Sequence, residues 1–523
     1  MSYLQKKLHI LLFQPLQHLL SNMPINKKNI LIAFFGVIGF AFMINTINAD
    51  FVKNASFLAE NERLVHGQTI YSIDNSFYLP QIKNWLAGHG FTCDASDKKY
   101  LVRRTPIYPM FYGVHYLLFG EKNSFFFIKI SQTILFALSA VLFLLAVNNL
   151  TSNKKMAWLA FLLYGFNPTL ISNTYFTLTE SISPALVVLT LYFFSKAMRN
   201  SKLRDWLITG IFFSIASLCR PPIFFFGGAV AIAILLLYYK NKTSLLKTTF
   251  AFGVGVLLVF TPYVIRNYKV TNGEFILLEK YYGDPMTYGL QNIELRKWIS
   301  TWTNPADYSA ESVSNKMWQQ ILSKRDKQTL IDSMLTALPK AAFTHYSKNT
   351  VASIYNCVYD FYAYKFTSPT KKDLAIAEQN AVLFIKKIND KHIAQHPFSY
   401  YVIMPMKMMK SIIFQSNAGT LYFLYDYKNN YLFFVIKAIL LLLNILLFIS
   451  LIGNILFIKK HLIIYIAILF FVSINCFYML FVINYFEARY LVPMFPFLYI
   501  SGAIFAVEMY EFMKKKITLL NNA

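Results

Sequence analysis

Apolar runs of bilayer length dominate this chain and leave it few ways to fold. A helix needs about 17–25 mostly apolar residues to cross a bilayer. Runs near that length recur at 30–48, 125–147, 156–175, 181–197, 206–220, 222–239, 246–264, 431–458, 462–483 and 490–512. Hydrocarbon offers no partner to a backbone N–H or C=O, so each run must satisfy its own polar groups as a helix. Only 14% of the 523 residues are charged, against about a quarter in ordinary soluble domains. The expectation is an all-α polytopic membrane protein with about ten transmembrane helices.

Net charge is +25. In a soluble protein that balance points to nucleic acid. Here the lysines and arginines sit in short loops: Lys27 and Lys28, Lys154 and Lys155, Lys196 to Arg204, Lys240 to Lys247, Lys459 and Lys460, and Lys514 to Lys516. With ten spans all these loops share one side, and the positive-inside rule makes it cytoplasmic, with both termini there. The partners implied by charge are therefore membrane lipids and not nucleic acid. The setting is an inner (cytoplasmic) membrane. No cleavable signal is evident, and residues 8–20 read as an interfacial amphipathic helix.

Four regions follow. Residues 1–29 form a cytoplasmic amphipathic segment, and 30–264 a transmembrane module that includes an extracytoplasmic loop at 49–124. Residues 265–430 are a second large extracytoplasmic loop, and 431–523 hold the last helices and a cytoplasmic tail. Both loops carry Trp, Tyr and apolar residues at helical spacing, so juxtamembrane helices are expected in them. Segment 326–365 reads as amphipathic helices lying against the membrane surface. SIDNSFYLPQIKNWLAGHGF (72–91) predicts a helix that starts near Asp74 and turns Tyr78, Ile82, Trp85 and Leu86 toward the protein body. Cys93, Cys219, Cys357 and Cys476 show no metal-ligand spacing. Cys93 and Cys357 both fall outside the cytoplasm, where a disulfide is chemically allowed.

The charged groups that matter gather at the outer helix ends. A charge inside the bilayer costs about 2.5–3.5 kcal/mol on insertion scales, so one placed at its edge usually has a partner or a task. The acids there are Asp50, Glu60, Glu62, Asp74 and Glu180. Glu180, in FTLTESISPALVVLTLYFF (176–194), also suits a helix start, where capping alone would explain it. VRRTPIYPMFYGVHYLLFG (102–120) sets Arg103 and Arg104 ahead of two prolines that fix the backbone. They can pair with phosphate or an acid, or simply snorkel to the headgroups. Arg220 in CRPP and Arg266 in TPYVIRNYKVTNGEFI stand beside prolines, and Arg489 in FEARYLVPMFPF follows Glu487 by two residues. Arginine forks bind phosphate bidentately, and a carboxylate can take a proton from an attacking hydroxyl. Such a face fits an anionic, lipid-linked substrate.

The order of these motifs resembles the GT-C superfamily of membrane glycosyltransferases: D-x-x-x-Y, G-x-G-F, RRTPIYP, TES, RPP, PYVIRNY…NGEF, RYLVPMFPF. It is similar in particular to bacterial relatives of protein O-mannosyltransferases and of the aminoarabinose transferases that modify lipid A (glycosyltransferase family 39-like). The likeness covers the first seven spans and the Arg489 segment, but not 290–430. It implies a GT-C-like bundle and an inverting transferase with its active site on the periplasmic or extracellular face. That enzyme would move a sugar from a polyprenyl-phosphate donor to a lipid, glycan or protein acceptor. It further implies Asp74 as general base, Glu180 as a second catalytic acid that orients acceptor or sugar, and Tyr78 beside them. Arg103, Arg104, Tyr78, Arg220, Arg266 and Arg489 become the substrate-binding set, with Arg266 matching the family's Arg-Asn segment.

The chain departs from that pattern in three ways. Many relatives carry an Asp-Glu pair where Asp74 is followed by Asn75. The segment from the first span to Asp74 is long, which leaves Asp50 as an alternative base. No WWDYG motif is present, which argues against en bloc transfer to asparagine. No DxD lies near Asp74, which favours metal independence; no cofactor is certain, and a divalent metal is left open but not indicated. The rival classes are a transporter or lipid flippase, and a non-catalytic membrane subunit of the same fold. Transporters tend to show repeats and broken helices with binding groups at mid-membrane. This chain shows no repeat and keeps its charges at helix ends.

Overall fold

The computed structural model describes residues 23–54, 64–72, 74–95, 101–280, 289–303, 308–323, 326–367 and 371–522. The helix expected at 8–20 and the acids Glu60 and Glu62 lie outside the described residues. The chain forms two compact units. The first comprises Met1–Lys280, Ser416–Ile474 and Ala488–Ala523, and the second Tyr281–Gln415 with Asn475–Glu487.

The first unit opens with α1 (Lys27–Asn54), which buries Ala33, Val37, Ala41, Asn45, Asn48 and Val52. Their spacing of three and four residues makes one stripe along the helix. The two asparagines in that stripe are paired inside the protein. Asn45 donates to Thr174 Oγ1 at 2.8 Å and Asn48 to the Thr420 carbonyl at 2.9 Å. A short hairpin follows, β1 (Leu64–Val65) against β2 (Thr69–Ile70). His66 and Gly67 both have positive φ, as a type I′ turn requires, and Gln68 N donates to the Val65 carbonyl at 2.9 Å across it. Sequence periodicity gave no hint of these strands, each only two residues long.

Next come α2 (Asn75–Leu86) and α3 (Ile107–Thr151). Tyr78 and Ile82 are buried as expected, but Trp85 and Leu86 are about half exposed and leave the body. The run read as 125–147 is the second half of α3. Gly120, at φ 73° and ψ 172°, kinks the helix there, a conformation that glycine alone adopts cheaply.

The run read as 156–175 is broken. α4 (Lys154–Gly165) ends ahead of α5 (Pro168–Ser172), and a 3-10 turn closes at Asn173–Tyr175. Pro168 cannot donate to a preceding turn, and the Asn167 side chain caps Leu170 N. Then come α6 (Thr179–Asn200), α7 (Leu203–Cys219), α8 (Phe226–Tyr238) and α9 (Lys242–Val270). α3 packs along α6, α6 along α7 and α7 along α9. The α7–α9 crossing is close. A Cβ on Gly210 would sit 2.3 Å from the Phe252 carbonyl oxygen, and one on Gly255 would sit 2.1 Å from that of Leu207.

The second unit is helical: α10 (Gln291–Trp302), α11 (Ala310–Leu322), α12 (Lys327–Thr336), α13 (Ala341–His345), α14 (Lys348–Thr367), α15 (Lys371–Gln395) and α16 (Met404–Ile413). The helices at 326–365 do not spend their apolar faces on a membrane. Leu330, Ile331, Met334, Val351, Ile354, Tyr355, Val358 and Tyr362 pack with Trp298 and Trp302 into a core of the unit's own. Mutual burial removes that area from water without lipid.

The chain returns through α17 (Tyr431–Gly453), α18 (Ile458–Phe477) and α19 (Phe495–Asn522), the last entered by the 3-10 turn Ala488–Met494. α19 packs on α17 and α4. Among the described residues seven helical stretches are long and apolar enough to cross a membrane. One of them, Tyr431–Ile483, holds both α17 and α18, while α4 and α7 are too short to qualify alone. On α9 the residues Leu246, Phe250, Leu257 and Leu258 are exposed, which suits a surface facing acyl chains. The fold is that of an all-α multi-pass membrane protein. Among the described residues no disulfide joins Cys93, Cys219, Cys357 or Cys476.

Candidate functional site

Within the first unit, five charged side chains from five separate segments join in one chain of ion pairs. Asp74 stands at the N-cap of α2 but makes no capping bond. Both of its oxygens are taken by arginine instead. Arg104 Nη2 donates to Oδ1 at 2.9 Å and Arg489 Nη1 to Oδ2 at 2.8 Å. Arg489 Nε also lies 3.6 Å from Glu180 Oε1. Arg220 Nη1 reaches the same Glu180 oxygen at 2.7 Å. The order is Arg104–Asp74–Arg489–Glu180–Arg220, with the two acids held apart by an arginine.

Local sequence sets each member. Arg220 is followed by two prolines, and a residue before proline is driven to extended backbone. It adopts φ −146° and ψ 111°, which ends α7 and turns the side chain back to the start of α6. There Arg220 Nη1 also donates to Thr179 Oγ1 at 3.0 Å, and Arg220 Nη2 to the Arg489 carbonyl at 3.3 Å. Glu180 lies in the first turn of α6, where the helix dipole favours a negative charge. Thr179 Oγ1 donates to its other oxygen at 2.8 Å. Buried Gln132 of α3 ties this helix start down. Its Nε2 donates to the carbonyls of Thr174 (2.7 Å) and Phe176 (3.1 Å), and its Oε1 accepts from Ser181 Oγ at 2.6 Å and Tyr108 Oη at 3.0 Å.

The floor under the cluster is aromatic. Tyr78 packs with Tyr108, Ile182 and Cys219, its ring 4.8 Å from that of Tyr108. Burial and the neighbouring Asp74 charge push its hydroxyl well above the usual phenol range. Arg103 and Arg104 both lie over the Phe77 ring, at 4.3 and 5.0 Å, a cation–π arrangement. Burial alone would raise the Asp74 carboxyl, but Arg104 and then Arg489 reverse that, and it ends below the usual carboxylate range.

Arg266 and Asp50, both singled out from sequence, stand outside the chain of pairs. Arg266 donates to backbone carbonyls, those of Leu101 and Phe91 (the latter at 2.8 Å), and so clamps the loop that carries the arginines. Asp50 is exposed on α1 and takes part in no ion pair among the described residues. Among the described residues no group of three or more His, Cys, Asp or Glu is placed to hold a metal ion. Sequence reasoning missed Gln132, Thr179 and Phe77. Gln132 had a readable signal, a polar side chain inside an apolar run. The other two had none.

Fold and cluster together define a class: a polytopic all-α membrane protein whose charged groups converge at helix ends. Residues 103–265 match the model of the dolichyl-phosphate-mannose-protein mannosyltransferase family. That match bears out the resemblance read from the motifs and supports a GT-C-like membrane glycosyltransferase of mannosyltransferase-like type. The matched stretch includes Arg103, Arg104, Glu180 and Arg220 but neither Asp74 nor Arg489. No curated protein matches the sequence.

Proposed function

We propose that the protein transfers one sugar from a polyprenyl-phosphate carrier to a lipid, glycan or protein hydroxyl on the extracytoplasmic face of the inner membrane, with inversion at C1. The observation that carries the reading is the alternating chain Arg104–Asp74–Arg489–Glu180–Arg220. It places a carboxylate between arginine forks, which is what such a reaction needs.

In this reading Asp74 is the base. It accepts the proton of the acceptor hydroxyl while that oxygen bonds to C1. The bond from C1 to the carrier's phosphate oxygen breaks, and its electron pair stays on the phosphate. Arg104 and Arg489 stabilise the charge that grows there. A carboxylate held by two arginines is a weak base, so the arrival of phosphate has a second effect. It draws both arginines toward itself, and the affinity of Asp74 for a proton rises as the donor seats. Glu180 keeps Arg489 and Arg220 in place and orients sugar or acceptor. Mass spectrometry of glycolipids and glycoproteins from a host with and without the gene tests the reading. A hexose- or pentose-sized mass increment that depends on the gene and on Arg104 supports it, and an unchanged profile overturns it.

A further inference from the structure

One carboxylate near the cluster has no role in that reaction. Glu279 stands on the strand of loop that leaves α9, and hydrogen bonds fix that strand on both sides of it. Asn267 Nδ2 donates to the Ile276 carbonyl at 3.0 Å, and Tyr263 Oη to the Leu278 carbonyl at 2.6 Å. Lys280 N donates to the Val102 carbonyl at 3.0 Å, one residue ahead of Arg103 and Arg104. Both chain neighbours of Glu279 are thereby pinned next to the arginine segment.

Unlike Asp74 and Glu180, Glu279 forms no ion pair among the described residues, and its side chain is open to solvent. The charges that act on it most strongly are those of Arg104, Arg220, Arg103 and Asp74, and its own charge is felt by Tyr263 of α9. Its chain neighbour Lys280 is turned away, paired with Glu274 at 2.6 Å. Although its side chain reaches solvent, the Glu279 carboxyl is crowded by surrounding protein, and that loss of water raises it; the three arginines only partly offset this, so it lies above the usual range.

We propose that Glu279 is a further ligand-facing residue of the donor-phosphate site, a built-in anion that balances the arginines until a phosphate group takes its place. The inference rests on the glycosyl-transfer reading. Arrival of a phosphate sets a second negative charge beside a carboxyl already poised to hold a proton. Glu279 then takes one proton from solvent, and the site keeps its charge balance without moving the backbone. A carboxylate that forms no ion pair among the described residues is what such an exchange requires. Asp74 and Glu180 cannot serve, because each is already held by two arginines.

The test is calorimetric titration of the full-length protein in detergent with the methyl diester of farnesyl phosphate, whose one charge does not titrate between mild acid and mild base. Runs in two buffers of different ionisation enthalpy count the protons taken up. Wild type is expected to take up a measurable fraction of a proton on binding. Glu279→Gln is expected to take up none and to bind about tenfold more tightly, having lost one opposing charge at short range. Glu279→Asp keeps the charge and is expected to restore both wild-type features.

If the diester binds wild type in an Arg104-dependent way but Glu279→Gln alters neither affinity nor proton uptake, the inference alone falls. Weaker binding by Glu279→Gln overturns it too, because the carboxyl would then be an acceptor for the ligand. If the diester does not bind, or binds equally well to Arg104→Gln, the glycosyl-transfer reading falls and takes the inference with it. An arm with inorganic phosphate separates the two sources of this chemistry. The same Glu279→Gln gain with phosphate alone supports a general phosphate site, and a gain confined to the diester supports the lipid carrier.

Discussion

Asp74 Oδ2 and Arg489 Nη1 meet at 2.8 Å, although 415 residues separate them in sequence. The contact joins the start of a loop helix to the turn that opens the last helix of the first unit. It is the link that makes two local ion pairs into one extended network, since Arg489 also faces Glu180.

Replacing Arg489 therefore cuts the network in the middle. Arg489→Ala removes one partner from each acid and, in the proposed reaction, one stabiliser of the leaving phosphate, and a fall of about 10²–10³ in transfer is expected. Arg489→Lys keeps the charge but not the fork, and should recover only part of that loss. Product formation by membranes that carry each variant at matched expression measures both.

Glu180 and Arg220 are nearly excluded from solvent, with side chains 3% and 9% exposed. Breaking such a pair strands a charge, which typically costs about 3–5 kcal/mol. Glu180→Gln and Arg220→Met are each expected to lower the thermal midpoint in detergent. The double variant should recover much of that stability while remaining inactive. A double variant no more stable than either single one would contradict the pairing.

The sequence made the helices legible, because hydrocarbon imposes one rule on every run. It made their ends less so. The break at Asn167–Pro168 was hidden inside an apolar stretch, and Gly120 joined two helices that read as a loop and a span. In the second unit the apolar faces of 326–365 were visible but their target was not, since a stripe looks the same whether it meets lipid or another helix. At the site, Asp74, Arg104, Glu180, Arg220 and Arg489 were each legible as charges at helix ends. Which arginine holds which acid was not, because the pairing is set by tertiary packing across hundreds of residues. The partners of Arg266 were hidden for the same reason: they are backbone carbonyls, which leave no trace in sequence.

The Asp74 carboxyl is held down in the folded protein, so its pairing has a defined pH dependence. A depressed carboxylate contributes stability that is complete above its unfolded value, about 3.9, and is lost as pH falls through the lower folded value. The difference in thermal midpoint between wild type and Asp74→Asn should thus be constant above about pH 5 and shrink only below about pH 4. A difference that already fades between neutral pH and pH 5 would contradict the ion pairs.

The α7–α9 crossing depends on the absence of side chains at Gly210 and Gly255. In helix packing inside membranes, small residues let backbones approach closely. Gly255→Ala drives a methyl group against the Leu207 carbonyl, and a loss of about 1–3 kcal/mol is expected from overpacking. Gly253→Ala, on the same helix with open space around its Cβ position, should be close to neutral. Denaturant or thermal unfolding of the two variants in detergent reads the contrast.

The central claim is that the Asp74 carboxylate accepts the proton of the attacking hydroxyl. Asp74→Asn keeps the size and polarity of the side chain and removes the base. The direct measurement is the gene-dependent glycan product, quantified by mass spectrometry in cells carrying wild type or Asp74→Asn at equal protein level, alongside binding of the farnesyl phosphodiester. The expected result is loss of about 10²–10⁴-fold in product with diester binding retained. Product at wild-type level in Asp74→Asn would contradict the claim.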